Sequence, residues 1–271
     1  MPLPVIPDPL EQVRLSTGVT VGMTDSRGDG HVVVFSHGFL MNHTMFAPQV
    51  EALRDGYRVV TYDERAHGAA EPEGRWSYWD MASDVLALLD HLAVERAVLA
   101  GMSQGGFLSM RAALLAPERV RALILMDTQA GVEEPEVLPL FEAMTADWEA
   151  NGPSQGTLDY AATAILGPGA DEAAWKELWA SRPNHYATPA AHPLLTREDI
   201  TDRLGEIGCP TLVIHGEADA SIPLERAQAL VDGIPKARPL VVVPGAGHAA
   251  NLTHPEIANP AIREFLDSLD G

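Results

Sequence analysis

Short runs of valine, leucine and isoleucine alternate along the chain with longer stretches whose apolar residues recur at helical spacing. The runs occupy residues 31–35, 57–62, 97–102, 120–126, 211–214 and 240–243, and they read as strands buried on both faces. Between them, residues 77–93, 104–116, 223–234 and 255–269 carry helical patterns, with a proline near the first turn of the last two. This alternation predicts an α/β fold: a mostly parallel sheet flanked by helices. An antiparallel hairpin is expected ahead of it, within residues 12–23.

From residue 131 to residue 201 the alternation stops. No strand pattern is convincing there, and Trp148, Trp175 and Trp179 fall on helix-like stretches. The segment reads as a helical cap, or lid, set over a core built from residues 1–130 and 202–271. Within and beside it, residues 152–156 and 167–169 read as loops.

Composition narrows the function classes. At 271 residues with 46% hydrophobic content, the chain can bury one core with an insertion, so general disorder is excluded. The balance of 18 basic against 38 acidic residues gives a formal net charge of −20, which repels phosphate backbones and anionic lipid. Neither nucleic acid nor a membrane is therefore an expected partner. Cys209 is the sole cysteine, so no intrachain disulfide and no cysteine metal cage can form; beside an apolar run it reads as a small buried hydrophobe. The first dozen residues show no basic region followed by an apolar stretch, so a cytoplasmic location is the default expectation.

The strongest local motif is Gly101-Met102-Ser103-Gln104-Gly105, placed between a strand and a helix. A serine hydroxyl is a weak nucleophile and must be lifted clear of the sheet toward a base; the flanking glycines permit the sharp turn this requires. Acyl transfer also needs preset donors for the oxyanion. The backbone N–H of Gln104 is one candidate, and that of Phe39, in the His37-Gly38-Phe39 loop after an early strand, is the other. His37 itself reads as a residue tying that loop together.

A base is expected late in the chain, and His248 follows the last strand in the loop Gly245-Ala246-Gly247-His248. An acid must fix its tautomer, and Asp219 stands in the loop after the run 211–214. Asp127, at the end of the run 120–126, is a competitor for that role. Glu217 reads as a solvated loop charge. No H-E-x-x-H pair, no G-x-G-x-x-G run after the first strand and no phosphate loop with lysine occurs, so no metal and no nucleotide cofactor is implied.

In these residues the chain resembles the α/β-hydrolase superfamily over essentially its whole length. The resemblance lies in the His37-Gly38 loop, the stretch from Tyr62 to Gly68, the serine elbow, the run from His215 to Asp219 and the Gly247-His248 ending. Within that superfamily it looks most like the enol-lactonase, cofactor-free haloperoxidase and small serine esterase group. The resemblance implies an eight-stranded, mostly parallel sheet with a helical cap inserted after the sixth strand, and an acyl-enzyme cycle on Ser103, His248 and Asp219. Ala66 and Ala70 stand where the family commonly has glycine and serine, which weakens assignment to one subfamily. Serine at 103, rather than aspartate, argues against epoxide hydrolases and haloalkane dehalogenases.

The expected substrate is a small apolar ester or lactone, with Met102, Met144, Trp148, Trp175, Trp179 and Tyr186 as candidate substrate contacts beside Phe39. Trp175 and Trp179, four residues apart, have a competing reading as internal packing of a cap helix. Three other functions fit the same residues: carbon–carbon bond hydrolysis, perhydrolysis, and a hydrolase-like small-ligand receptor. Oligomeric state is open, a homodimer included.

Overall fold

The computed structural model describes residues 3–72, 74–133, 135–167 and 170–270. The strands are β1 (Glu11–Arg14), β2 (Thr20–Asp25), β3 (Val32–Ser36), β4 (Arg58–Tyr62), β5 (Ala97–Met102), β6 (Val120–Met126), β7 (Thr211–Gly216) and β8 (Val241–Val243). They form one eight-stranded sheet in the order β1-β2-β4-β3-β5-β6-β7-β8. The β1–β2 and β2–β4 pairings are antiparallel and the remaining pairings are parallel. The expected hairpin is therefore present as β1 and β2.

The helices are α1 (Ala47–Leu53), α2 (Tyr78–His91), α3 (Gln104–Leu115), α4 (Leu138–Asn151), α5 (Gln155–Leu166), α6 (Ala173–Ser181), α7 (Ala187–Thr196), α8 (Leu224–Gly233), α9 (Ala250–Thr253) and α10 (Pro255–Asp267). Helix α2 begins at a capping box in which the Ser77 side chain accepts from the Asp80 N–H and the Asp80 carboxylate accepts from the Ser77 N–H. The helix expected over residues 255–269 ends at Asp267, and Ser268–Asp270 wind as a 3-10 turn. Part of the loop expected at 167–169 lies outside the described residues. Among the described residues no helix is long and apolar enough to cross a membrane.

Alternation along each strand divides the core in two. Val34, Val60, Leu99, Leu123, Leu125 and Val213 face one way and pack with residues of α2, α3 and α8. Val33, Phe35, Val59, Val98, Ile124 and Ile214 face the other way and pack with α1 and α10. Both sets are almost fully buried, which is why these strands read as unbroken apolar runs. Each such side chain contributes roughly 1.5–3 kcal/mol by leaving water. Helices α4 to α7 lie between β6 and β7 in the chain.

The sheet order reverses at β3, with β4 on one side and β5 on the other. Ligand sites of open α/β sheets gather at the carboxyl ends of strands at such a switch point. The register brings these ends together: Ser36 of β3 lies beside Gly101 of β5, Met102 beside Met126 of β6, Met126 beside Ile214 of β7, and Gly216 beside Val243 of β8. The loops carrying Phe39, Ser103, Asp127, Asp219 and His248 all leave this edge.

Candidate active site

Ser103 joins β5 directly to α3 with φ 51° and ψ −115°, a conformation that a non-glycine residue holds only when its surroundings impose it. The surroundings are specific. The Ser103 N–H donates to the Met126 carbonyl at 2.9 Å, and the Ser103 carbonyl accepts from Thr128 Oγ1 at 2.7 Å. A β-carbon at Gly101 would stand 2.1 Å from the Gly105 carbonyl oxygen, and one at Gly105 would stand 2.0 Å from that of Ser36. The two motif glycines thus let helix and strand approach, and the turn stands the serine above the sheet edge.

His248 Nδ1 lies 2.7 Å from Asp219 Oδ2. A carboxylate only accepts, so Nδ1 carries the proton and Nε2 remains for proton transfer. Asp219 is held in turn, its Oδ1 accepting from the N–H groups of Ser221 at 2.8 Å and Ile222 at 3.0 Å. Burial opposes the charged form of both groups, but their mutual attraction and hydrogen bond outweigh it. The His248 pKa is raised and the Asp219 pKa is lowered.

Asp127, the competing acid, is fully buried at φ 47° and is spent on the backbone. Its Oδ1 accepts from the Gly216 N–H at 2.8 Å and its Oδ2 from the Ala250 N–H at 3.0 Å. Burial, reinforced by the nearby Asp219 charge, pushes its pKa up to about 8. Asp127, His215 and Asp219 bring possible ligand atoms within 4.8 Å of one another. The donor set fits a metal poorly: both oxygens of Asp127 and both of Asp219 are engaged as above, and His215 Nε2 donates to the Ile222 carbonyl at 2.9 Å, which leaves His215 Nδ1 as the unpartnered ligand atom of the three residues. Glu217 is exposed and accepts from the Gly245 N–H at 3.1 Å.

A cavity of about 420 Å³ opens at this edge, with Ser103 and His248 in its wall. Three of the expected contacts, Phe39, Met102 and Met144, line it. Trp148, Trp175, Trp179 and Tyr186 do not, which corrects the expectation for these four residues. Trp148, Trp175 and Trp179 are buried in the second core cluster, the last two with ring centroids 6.4 Å apart. Trp179 Nε1 donates to the Leu40 carbonyl at 2.9 Å. Tyr186 packs in the first cluster and its hydroxyl donates to Glu71. These large rings fill the interior of the helical layer, where their area is worth most.

The walls that the sequence reading missed come from α4 and α5, the segment before them and the start of α8. Val132, Leu140, Phe141, Tyr160 and Ile165 supply apolar surface, while Gln129, Glu133 and Arg226 supply polar groups. Cys209 is buried as expected, and burial pushes its thiol pKa up. Ala66, where the resemblance would have glycine, holds φ 58° and is fully buried.

The family model described as alpha/beta hydrolase fold matches residues 31–255. A putative non-heme chloroperoxidase from Synechocystis sp. is 31% identical, the match covering 92% of this chain and 99% of the relative. 3-Oxoadipate enol-lactonase 2 of Acinetobacter baylyi is 28% identical over 90% of this chain and 91% of its own length. Among solved structures, a thermophilic esterase from Thermogutta terrifontis superposes with a TM-score of 0.88 at 29% identity, covering 96% of this chain and 99% of that one.

Proposed function

Because this chain belongs to the alpha/beta hydrolase fold family, we propose that it is a serine hydrolase cleaving a carboxylic ester or lactone through an acyl-enzyme on Ser103. The observation that carries this reading is the strained Ser103 turn sharing one cavity wall with His248, whose other ring nitrogen is held by Asp219. In the proposed cycle His248 Nε2 takes the Ser103 proton as Oγ bonds to the substrate carbonyl carbon. The backbone N–H groups of Phe39 and Gln104 hold the oxyanion. The tetrahedral species expels the alkoxide, which leaves with the proton from His248. A water molecule, deprotonated by the same imidazole, then releases the acid and restores Ser103.

Residues 131–201 form the cap over a core of residues 1–130 and 202–271 in this reading. The apolar side chains of α4 and α5 select an acyl group of modest size, since Met144, Leu140 and Phe141 share the cavity with Ser103. A second reading, perhydrolysis on the same residues, is favoured by the chloroperoxidase name of one relative. There hydrogen peroxide replaces water against the acyl-enzyme and the product is a peracid.

The test is steady-state turnover of a panel of acyl esters, lactones and carbamates, with water and then with hydrogen peroxide, by wild type beside Ser103→Ala. Turnover confined to wild type supports the serine hydrolase and ranks its substrates. Equal turnover by both proteins overturns it, and peracid formation outpacing hydrolysis moves the assignment to the second reading.

A further inference from the structure

The Phe39 N–H shares a planar peptide with the Gly38 carbonyl, so whatever orients that carbonyl aims the N–H in the opposite direction. The Gly38 carbonyl accepts from His37 Nδ1 at 2.8 Å and from the Met41 N–H at 3.0 Å. His37 can donate there only with its proton on Nδ1. That tautomer is set by the Glu64 N–H, which donates to His37 Nε2 at 3.0 Å. Burial lowers the His37 pKa to about 4, which keeps the ring neutral and this arrangement intact.

The same glutamate reaches the other side of the site with its side chain. Gln104 Nε2 donates to Glu64 Oε2 at 2.5 Å, and Gln104 Oε1 accepts from the Tyr78 hydroxyl at 3.1 Å. Both ends of the Gln104 amide are held, so the first residue of α3 is fixed. Glu64, His37 and Gln104 are each no more than 2% exposed, a setting in which a lost partner is costly.

We infer that Glu64 is a positioning residue that couples the two proposed oxyanion donors, aiming the Phe39 N–H through its own backbone N–H to His37 and the Gln104 N–H through its side-chain bond to the Gln104 amide. The inference rests on the serine-hydrolase reading above. Burial, helped by the Asp63 and Asp84 carboxylates and only partly offset by the Gln104 bond, holds the Glu64 carboxyl well above the usual range.

Glu64→Leu removes the acceptor at similar volume, and Glu64→Gln keeps a neutral acceptor in its place. On the best substrate of wild type, Glu64→Leu is expected to lower kcat about tenfold to a hundredfold with KM within about twofold, and Glu64→Gln to restore most of the loss. In the free proteins the Gln104 amide resonance in 1H–15N spectra is expected to move in Glu64→Leu and return in Glu64→Gln, while the Phe39 resonance, reached through the Glu64 backbone N–H that both variants keep, moves less. That readout needs no turnover, so it judges the coupling even where Ser103→Ala disproves the serine mechanism. An unmoved Gln104 resonance in folded Glu64→Leu overturns the inference, as does a kcat equal to wild type or an equal loss in Glu64→Gln. Should Glu64→Leu fail to fold, Gln104→Leu removes the same bond from the other side, and an unchanged kcat there overturns the inference too.

Discussion

His248 Nδ1 and Asp219 Oδ2 lie 2.7 Å apart, joining the loop after β8 to the loop after β7 through two buried side chains. Asp127, also buried and close enough to raise the His248 pKa, gives both of its oxygens to backbone N–H groups instead. The two carboxylates therefore have different work, one orienting an imidazole and the other fixing two loops.

Replacing each by asparagine separates these roles. Asp219→Asn can present an amide N–H to Nδ1 and so favour the wrong tautomer, and kcat is expected to fall on the order of 10³- to 10⁴-fold. Asp127→Asn keeps one acceptor and sets an N–H against the other backbone donor. Its expected effect is a stability loss of about 1–3 kcal/mol, read by thermal melting, with kcat reduced less than about tenfold. The reverse pattern would make Asp127 the catalytic acid.

The pH profile follows from the same pair. Only neutral His248 can take a proton, so kcat/KM rises with pH through its apparent pKa. Burial alone would depress that pKa, but Asp219 raises it above the ordinary imidazole value, which moves the acidic limb to higher pH. In Asp219→Asn the carboxylate is gone, and the limb of the residual activity is expected at lower pH than in wild type. A limb unmoved by the substitution would mean that another group titrates there.

Cavity position and core position should part in the cap. Met144→Ala enlarges the cavity beside Ser103, and its expected effect is a several-fold change in KM across a series of acyl lengths, with little change in melting temperature. Trp175→Ala, by contrast, empties part of the buried layer and is expected to cost about 3–5 kcal/mol of stability while leaving acyl-length preference alone. A Trp175 variant with altered preference and wild-type stability would return that residue to the substrate site.

Much of this arrangement is legible in the chain because its signals are local. The elbow occupies five consecutive residues, and strands buried on both faces leave unbroken apolar runs. Asp219 and His248 could be placed because each follows a strand whose end the pattern marks. Helix α1 was not anticipated, since seven residues with Val50 and Leu53 as apolar contacts are too short to establish a period. The cavity wall was misread for a different reason. Tryptophans draw notice by size, yet a thin helical layer needs such rings to fill its own interior. Which face of α4 or α5 meets the cavity depends on how these helices are rotated over the sheet. The contact between Glu64 and Gln104 joins residues 40 positions apart, and no periodicity announces it.

In the proposed cycle the substrate's acyl carbon becomes bonded to Ser103 Oγ. Wild type mixed with an activated acyl ester, quenched in acid within the first turnovers and digested, should yield the peptide containing Ser103 with the mass of the acyl group added. Ser103→Ala treated alike should yield none and should have lost turnover. An acylated Ser103 peptide that forms and decays at the turnover rate is expected; undiminished turnover in Ser103→Ala would overturn the acyl-enzyme.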